Sequence, residues 1–317
     1  MTLRRALSLA LVTVWVLFAI GVALSWNLAG SHLPHLPGGA ALAMGILAVI
    51  LGSLTGAALW LGSGLALLLL PLLASAGPDP RPEPGCRITA MTFNAKLLRS
   101  GRRDAVAELL GAHPADIILL QETGDRAELA RLLLEQPGLR GWHVATPPDL
   151  LLMAVSRFPL APGLRHGGIL ETSVRVEGQR LRLFTAIGPK PTAPGQAATF
   201  ARQLRDLVAG SPDGALVGLD LNAGPASASA RLLRTVLRDA AMDTGLGAAF
   251  GFTFPTPARR LGTLGPWARI DQLLVTPGLR PDGWSVLAAH AESTHFPLFG
   301  QFVLAGAGTP GEACRAG

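Results

Sequence analysis

The feature that most constrains the fold of this 317-residue chain is a long uncharged stretch near its N-terminus. No Lys, Arg, Asp or Glu occurs between Arg5 and Asp79, and only the Pro/Gly/His-rich segment 31–39 interrupts the apolar sequence. A helix needs about 20 apolar residues to cross the hydrocarbon core of a bilayer. The stretch is therefore long enough for several crossings. We expect a membrane anchor over residues 1–77 with about three transmembrane helices, at residues 6–26, 40–58 and 60–76.

Two questions about this anchor stay open. A cleaved signal peptide is the alternative for the first helix, although its apolar run exceeds the usual signal-peptide core. The number of crossings decides the topology. Arg4 and Arg5 favour a cytoplasmic N-terminus, so three crossings place the rest of the chain outside the cytoplasm, whereas two return it there. We expect the exported orientation.

The composition excludes several other classes of protein. With 49% hydrophobic and 15% charged residues, the chain is neither a disordered tail protein nor a coiled coil. The formal net charge of +6 comes almost entirely from arginine, because only Lys96 and Lys190 are lysine. The arginines are scattered and form no basic block of the kind typical of a nucleic-acid-binding arm. The charge is therefore compatible with an anionic partner without identifying one.

A soluble domain follows the anchor. Residues 78–86 form a Pro-rich linker, residues 87–305 carry the domain, and 306–317 form a tail. Apolar runs predict strands at 87–94, 116–122, 150–156, 173–187 (a hairpin turning at Glu177-Gly178), 215–221, 269–275 and 296–304. Helices are predicted at 105–112, 125–136, 196–209 and 227–239. Hairpins mixed with helices favour a two-sheet α/β sandwich over a doubly wound parallel sheet.

Polar residues lie beside these apolar runs in a distinctive order. Taken singly, each is an ordinary loop or capping residue. Together they read Asn, Gln-Glu, Asp-x-Asn, Ile-Asp and Ser-x-His-x-Pro along about 200 residues, which is difficult to obtain by chance. The candidate site residues are Asn94, Glu122, Asp220, Asn222, Asp271 and His295.

This order resembles the endonuclease/exonuclease/phosphatase superfamily, which has the DNase I-like fold. The matching motifs are MTFNAK (91–96), ADIILLQET (115–123), VSRFPL (155–160), ARQLRDL (201–207), VGLDLNAGP (217–225), FTFP (252–255), RIDQLLV (269–275) and STHFPLFGQF (293–302). About three N-terminal membrane helices are familiar from bacterial, membrane-anchored members. The resemblance therefore implies a bacterial inner-membrane protein with a DNase I-like domain facing the periplasm or the exterior.

The resemblance also implies a metal site. Hydrolysis of a phosphate ester needs a divalent cation to neutralise the phosphoryl oxygens and a group that activates water. By resemblance, Glu122 is the principal ligand of Mg²⁺ or Mn²⁺, and Asn94 beside it is expected to bind the metal as well, because Mg²⁺ prefers carboxylate and amide oxygens. The expected partners are the membrane and a phosphate-ester substrate, with nucleic acid and phospholipid as candidates.

Four other residues take roles in the chemistry by the same resemblance. Asp220 would orient or deprotonate the attacking water, and Asn222 would hold a phosphoryl oxygen. His295 would be the general base or an electrostatic partner, and Asp271 would fix its tautomer. The expected activity is that of a phosphoesterase or nuclease.

Two positions depart from the family pattern. Ile187 stands where a histidine is expected, and Thr294 replaces an aspartate that normally lies next to the metal. These departures keep an alternative open, a catalytically degenerate, membrane-tethered domain that binds a phosphate ligand.

The resemblance further makes the first and last strands of the domain antiparallel neighbours. This would bring Cys86 and Cys314 together, and a disulfide between them would suit an oxidising compartment.

Overall fold

The structure of the protein is a computed structural model. It describes residues 85–97, 102–147, 149–190, 194–210, 212–244, 251–257, 266, 268–309 and 311–316. The three predicted transmembrane helices and the linker up to residue 84 lie outside these residues. Within the described ranges, none of the helices has both the length and the apolar character needed to span a bilayer.

The described residues form twelve strands and five helices. In chain order the strands are β1 (Gly85–Asn94), β2 (Ile117–Gln121), β3 (His143–Ala145), β4 (Leu152–Ser156), β5 (Leu164–His166), β6 (Ile169–Val176), β7 (Gln179–Ile187), β8 (Gly214–Asp220), β9 (Arg238–Asp239), β10 (Asp271–Val275), β11 (Leu279–Val286) and β12 (Leu298–Ala305). The helices are α1 (Arg103–Ala112), α2 (Arg126–Glu135), α3 (Pro194–Ala209), α4 (Ala228–Leu233) and α5 (Ala240–Asp243), with a short 3₁₀ turn at Pro137–Leu139.

Two six-stranded sheets within this part of the chain make the predicted α/β sandwich. The first has the order β11-β12-β1-β2-β4-β3, and the second has the order β5-β6-β7-β8-β10-β9. β1 is parallel to β2, and β7 is parallel to β8. The carboxyl ends of these four strands therefore meet at one edge of the sandwich, which we call the site edge. The antiparallel strands β10 and β12 begin there.

Burial on both faces explains why the central strands are nearly continuous apolar runs. Alternate residues of a strand point to opposite faces. In β1, Ile88 packs between the sheets, whereas Met91 and Phe93 pack outward under α1 and α2. In β8, Leu216 packs between the sheets and Val217 packs outward under α3 and α4. This layered packing makes the sandwich rigid enough to position the residues at its edge.

A disulfide joins the two ends of the domain. Cys86 and Cys314 are bonded, with their Cα atoms 4.9 Å apart, which confirms the expected pairing. β1 and β12 are antiparallel neighbours, as predicted, with Gly85 opposite Ala305. The predicted tail is partly ordered: the backbone N–H of Cys314 donates to the carbonyl of Arg87 at 2.9 Å. Because β2 begins opposite Ala90, the chain after β12 covers the part of β1 that β2 leaves unpaired.

The predicted secondary structure is confirmed in part. Asp125 caps α2 and accepts a hydrogen bond from the backbone N–H of Glu128 at 3.2 Å, and the β6–β7 hairpin turns at Glu177-Gly178, both with positive φ. The helix predicted at 227–239 is present but shorter. It ends at Leu233, and the predicted C-terminal end was wrong because Arg238 and Asp239 are extended and pair with β10.

Candidate active site

The six predicted site residues lie together at the site edge because of where their strands begin and end. Asn94 and Asp220 are the last residues of β1 and β8, and Glu122 directly follows β2. Asp271 is the first residue of β10, and its Cα is paired with that of Asp220 across the antiparallel ladder. Two further residues complete the group, Asn222 just beyond β8 and His295 just before β12.

Asn94 connects the two sheets. Its side-chain Nδ2 donates to Glu122 Oε1 at 3.1 Å and to Asp220 Oδ2 at 2.9 Å. The side chain is fully buried, so these bonds are not exchanged with water. Asn94 thus contacts Glu122 as a hydrogen-bond donor, and it fixes a carboxylate from each sheet at a defined separation.

A buried Asp–His–Asp cluster lies beside this bridge. The Nδ1 of His295 is 3.1 and 3.0 Å from the two carboxylate oxygens of Asp271. A carboxylate only accepts hydrogen bonds, so this pairing places a proton on Nδ1. The other ring nitrogen, Nε2, lies 3.9 Å from Asp220 Oδ2. His295 is 2% exposed, and the cluster is therefore shielded from bulk water.

Burial and charge shift the pKa values of these groups in directions that suit acid–base chemistry. Burial raises the pKa of Asp220 to about 6, with the charge of Asp271 adding to the effect and that of His295 opposing it. Burial lowers the pKa of His295, but the charges of Asp271 and Asp220 outweigh it and raise the value above its usual 6.5. At neutral pH, Asp220 is thus mostly ionised, and the two carboxylates favour the protonated form of His295.

Glu122 is held in its charged form. Burial acts to raise its pKa, but hydrogen bonds from Lys96 and Asn94 and the charges of Lys96 and His295 lower it overall. Its side chain is 17% exposed. Both of its hydrogen bonds from the described residues fall on Oε1. Oε2 thus remains available for a cation.

Asn222 is placed by backbone contacts. Its backbone N–H donates to Asp220 Oδ1 at 3.0 Å, and its Nδ2 donates to the carbonyl of Gly188 at 2.9 Å. Gly188 follows β7, and its own N–H donates to the carbonyl of Asp220. The loops after β7 and β8 therefore support each other, and Asn222 is held next to the Asp220 carboxylate.

Strained backbone is concentrated at the site edge. Six non-glycine residues among those described have a positive φ, and only Glu177, in the hairpin turn, lies elsewhere. Such conformations cost about 1–3 kcal/mol each and persist where surrounding structure enforces them. The five residues at the site edge are Lys96, Glu122, Asn222, Ala291 and Glu292.

Sequence reasoning missed two contact residues. The ammonium nitrogen of Lys96 lies 2.5 Å from Glu122 Oε1. Ser293 donates from Oγ to the carbonyl of Asn94 at 2.6 Å, and its Oγ accepts from the backbone N–H of His295 at 3.1 Å. Both residues lie within quoted motifs. Lys96 follows Asn94 by two residues and is one of only two lysines in the chain, a signal that could have singled it out.

The two departures from the family pattern also lie at the site edge. Ile187 is paired with Asp220 across the β7–β8 ladder, so an apolar side chain occupies a position next to the cluster. Thr294 precedes His295, and its Oγ1 is buried without a hydrogen-bond partner. Among the described histidines, His166 does not take the place of the expected one, because it pairs with Glu171 at 2.9 Å.

The donor atoms fit a divalent cation. One oxygen or nitrogen each from Asp220, Asp271 and His295 lies within 4.8 Å of the others, and no other His/Cys/Asp/Glu group in the described ranges forms such a set. Asp271 and His295 already hydrogen-bond to each other, so Glu122 is the more accessible ligand. Carboxylate oxygens are the donors that Mg²⁺ and Mn²⁺ prefer. The residues therefore suit a hard cation between Glu122 and the cluster.

The chain matches a known family over most of the domain. The model of the Endonuclease/Exonuclease/phosphatase family matches residues 91–295, which is more than half of the chain and includes all six candidate residues. No curated protein sequence matches the chain.

Several solved structures are similar in fold. TDP2 from D. rerio, complexed with a single-strand DNA product, has a TM-score of 0.56 and 16% identity, with 68% of this chain and 98% of that chain covered. A mannosyl-6-phosphatase from Bacteroides thetaiotaomicron has a TM-score of 0.51 and 17% identity, with 68% and 99% covered. An endonuclease/exonuclease/phosphatase family protein from the same organism has a TM-score of 0.52 and 16% identity, with 70% and 96% covered. At these identities the likeness establishes a DNase I-like α/β sandwich.

Proposed function

The chain belongs to the endonuclease/exonuclease/phosphatase family, and from this premise we propose that it is a membrane-anchored phosphoesterase or nuclease that depends on a divalent metal. The observation that carries the proposal is the buried Asp271–His295–Asp220 cluster beside Glu122. It combines an ionised ligand for a cation with a carboxyl group, Asp220, whose pKa is raised to about 6 and an imidazole, His295, whose pKa is raised by its carboxylate neighbours. These are the components that hydrolysis of a phosphate ester requires.

Each residue of the site has a separate role in the proposed hydrolysis. Glu122 would hold Mg²⁺ or Mn²⁺, which would supply positive charge to neutralise the phosphoryl oxygens. Asp220, with a pKa of about 6, is ionised at neutral pH and accepts the proton of the attacking water. The raised pKa of His295 favours its protonated form, which donates from Nε2 to a phosphate oxygen, while Asp271 holds its ring by Nδ1.

The two asparagines position this machinery. Asn94 sets the separation of Glu122 and Asp220, because its Nδ2 hydrogen-bonds both carboxylates. Asn222 follows Asp220 by two residues and is anchored to its Oδ1 through the backbone. Its Nδ2 donates one hydrogen to the carbonyl of Gly188, and the second hydrogen is proposed to bind a phosphoryl oxygen. Electrostatic positioning of this kind supplies the larger part of phosphoryl-transfer catalysis.

Membrane anchoring and export form the second part of the proposal. The uncharged stretch from residue 6 to residue 78 is long enough for about three crossings. The Cys86–Cys314 disulfide supports the exported orientation, because disulfides persist in oxidising compartments and are rare in the cytosol. We place the protein in a bacterial inner membrane, with its soluble domain on the periplasmic or outer side.

The substrate is proposed only as a phosphate ester. Nucleic acid and phospholipid are both candidates. TDP2 was solved with a single-strand DNA product, and a second neighbour is a mannosyl-6-phosphatase, so sugar phosphates are tested as well. The test is hydrolysis by the full chain of single-stranded DNA, RNA, phospholipid and sugar phosphates, in Mg²⁺ or Mn²⁺ and in EDTA. We expect turnover that requires the metal and falls by at least 10²-fold in Glu122→Gln. Glu135→Gln, on the exposed face of α2, is the matched control.

The two departures from the family pattern favour a second candidate function. Ile187 cannot transfer a proton or bind phosphate, and Thr294 removes a carboxylate from the site. A domain that binds a phosphate ligand without turning it over would fit these departures. In that case the full chain would bind a phosphate ester in a Glu122-dependent way, and no metal would elicit hydrolysis.

A further inference from the structure

Lys96 places an ammonium group inside the candidate site. Its Nζ lies 2.5 Å from Glu122 Oε1, and the two side chains are 24% and 17% exposed. A surface ion pair of two mobile side chains contributes little to the stability of the fold, but the Lys96–Glu122 pair is partly enclosed. Oε1 also accepts from the fully buried Asn94, so the carboxylate is held in one orientation by two donors.

The backbone is built to present this lysine. Lys96 has a φ of 53°, which costs a non-glycine residue about 1 kcal/mol or more. Its N–H donates to Asn94 Oδ1 at 3.2 Å, and the next N–H, of Leu97, donates to the carbonyl of Glu122 at 2.9 Å. The segment after β1 is thus fastened to the segment after β2 on both sides of the ion pair.

The charges of the site explain why a cation is needed there. Three carboxylates converge, those of Glu122, Asp220 and Asp271, and His295 is the only other cationic group of the cluster in the described residues. Like charges at this separation repel each other in a buried environment. The ammonium of Lys96 lowers that repulsion at the carboxylate that is most accessible to a metal ion.

We propose that Lys96 is an internal counter-cation that holds Glu122 in the metal-free site and competes with the divalent cation for this carboxylate. The inference rests on the proposed function, because it requires Glu122 to be a metal ligand. Its consequence is that the protein binds metal more weakly than its carboxylates alone would allow. A metal ion bound at Oε2 would also lie close to the Lys96 ammonium at Oε1, and the repulsion between the two cations would weaken the Lys96–Glu122 pair.

The first test measures metal affinity without turnover. Mn²⁺ binding to the EDTA-treated full chain in detergent is followed by calorimetry for wild type, Lys96→Met, Lys96→Arg and Lys190→Met. Lys190, the other lysine of the chain, is exposed and makes no ion pair with any described residue, so it is the matched control. We expect Lys96→Met to bind Mn²⁺ about tenfold more tightly, with the other two variants unchanged.

The second test needs no substitution at Lys96 and covers the case in which Lys96→Met does not fold. Because the chain has two lysines, protein labelled with ¹³C-lysine gives two ε-methylene NMR signals, and Lys190→Met identifies them. Addition of Mg²⁺ should shift the Lys96 signal and leave the Lys190 signal in place.

The outcomes separate this inference from the proposed function. If wild type binds Mn²⁺ and folded Lys96→Met binds it no more tightly, the inference is overturned and the proposed function stands. A Lys96 signal that stays fixed while Mg²⁺ saturates the protein overturns it as well. If neither wild type nor any variant binds metal, the metal-dependent function fails and the inference fails with it.

Discussion

Replacing Asp220 with asparagine should stabilise the metal-free protein at neutral pH while it removes activity. Asp220 is buried, and its pKa is raised from 3.8 to about 6, first by burial and then by the charge of Asp271. The folded state therefore disfavours the charged form of this carboxylate. Asparagine has nearly the same shape, carries no charge and keeps one oxygen that can accept from Asn94. Its amide nitrogen replaces the oxygen that accepts from the Asn222 N–H, a loss that does not depend on pH.

The magnitude follows from the two pKa values. A tenfold change in acid dissociation is worth about 1.4 kcal/mol, so the difference between 3.8 and about 6 corresponds to about 3 kcal/mol. Between these pH values the folded state binds more protons than the unfolded state. The free energy of unfolding of the wild type therefore falls as the pH rises through this window, and the contribution is constant above it. Asp220→Asn has no carboxyl group to titrate at this position, so its free energy of unfolding does not fall in this window for this reason.

The assay is urea unfolding of the full chain in EDTA, at a series of pH values from 4 to 7.5. The advantage of Asp220→Asn over wild type should be small at pH 4 and should grow by about 3 kcal/mol by pH 7. His295 has a raised pKa, so its contribution is present below 6.5 and lost as the pH rises through its folded value. Because the charge of Asp220 helps to raise this pKa, the His295 contribution is smaller in Asp220→Asn. Asp206→Asn, an exposed carboxylate, is the control. Parallel stability curves for wild type and Asp220→Asn would refute the reasoning.

Three further predictions concern other parts of the domain. Changing Cys86 and Cys314 to serine should lower the free energy of unfolding by about 5 kcal/mol in urea melts, because the bond closes a loop of 228 residues; wild type purified without reductant should show no reactive thiol. Ser293→Ala should cost about 1–2 kcal/mol in the same melts and reduce kcat more than it raises KM, since its hydroxyl links two site strands. Thr294→Asp should tighten Mn²⁺ binding in calorimetry, because it adds a carboxylate to the site. Ile187→His should raise kcat by up to about 10²-fold. If the wild type turns over quickly and both substitutions slow it, the site is adapted to Ile187 and Thr294.

The sandwich could be predicted because its central strands are buried on both faces. Such strands are continuous apolar runs, which the sequence displays directly. β11 was missed, since it contains Pro281, Asp282 and Gly283 and pairs only with β12, with an irregular register at Pro281. An edge strand tolerates such residues. Its existence therefore depends on the neighbouring strand rather than on its own composition.

The positions of the site residues could be predicted from the motifs, but the contacts between them could not. Ser293 and Asn94 are 199 residues apart in the chain and 2.6 Å apart at their oxygens. The Lys96–Glu122 pair likewise depends on the parallel register of β1 and β2, which no local pattern encodes. Positive φ at Lys96 and Glu122 also goes against residue preference, because these conformations are enforced by tertiary contacts.

The rate of cleavage of bis(4-nitrophenyl) phosphate reports whether the buried cluster hydrolyses a phosphate ester with the help of a metal. The full chain would be freed of metal with EDTA and assayed with and without Mn²⁺, as wild type and as Asp271→Asn, which alters the partner of His295 Nδ1. We predict that wild type turns over only with Mn²⁺ and that Asp271→Asn loses about 10²-fold or more in kcat with its fold intact. Equal rates for the two proteins, or a wild-type rate that does not respond to Mn²⁺, would contradict the account.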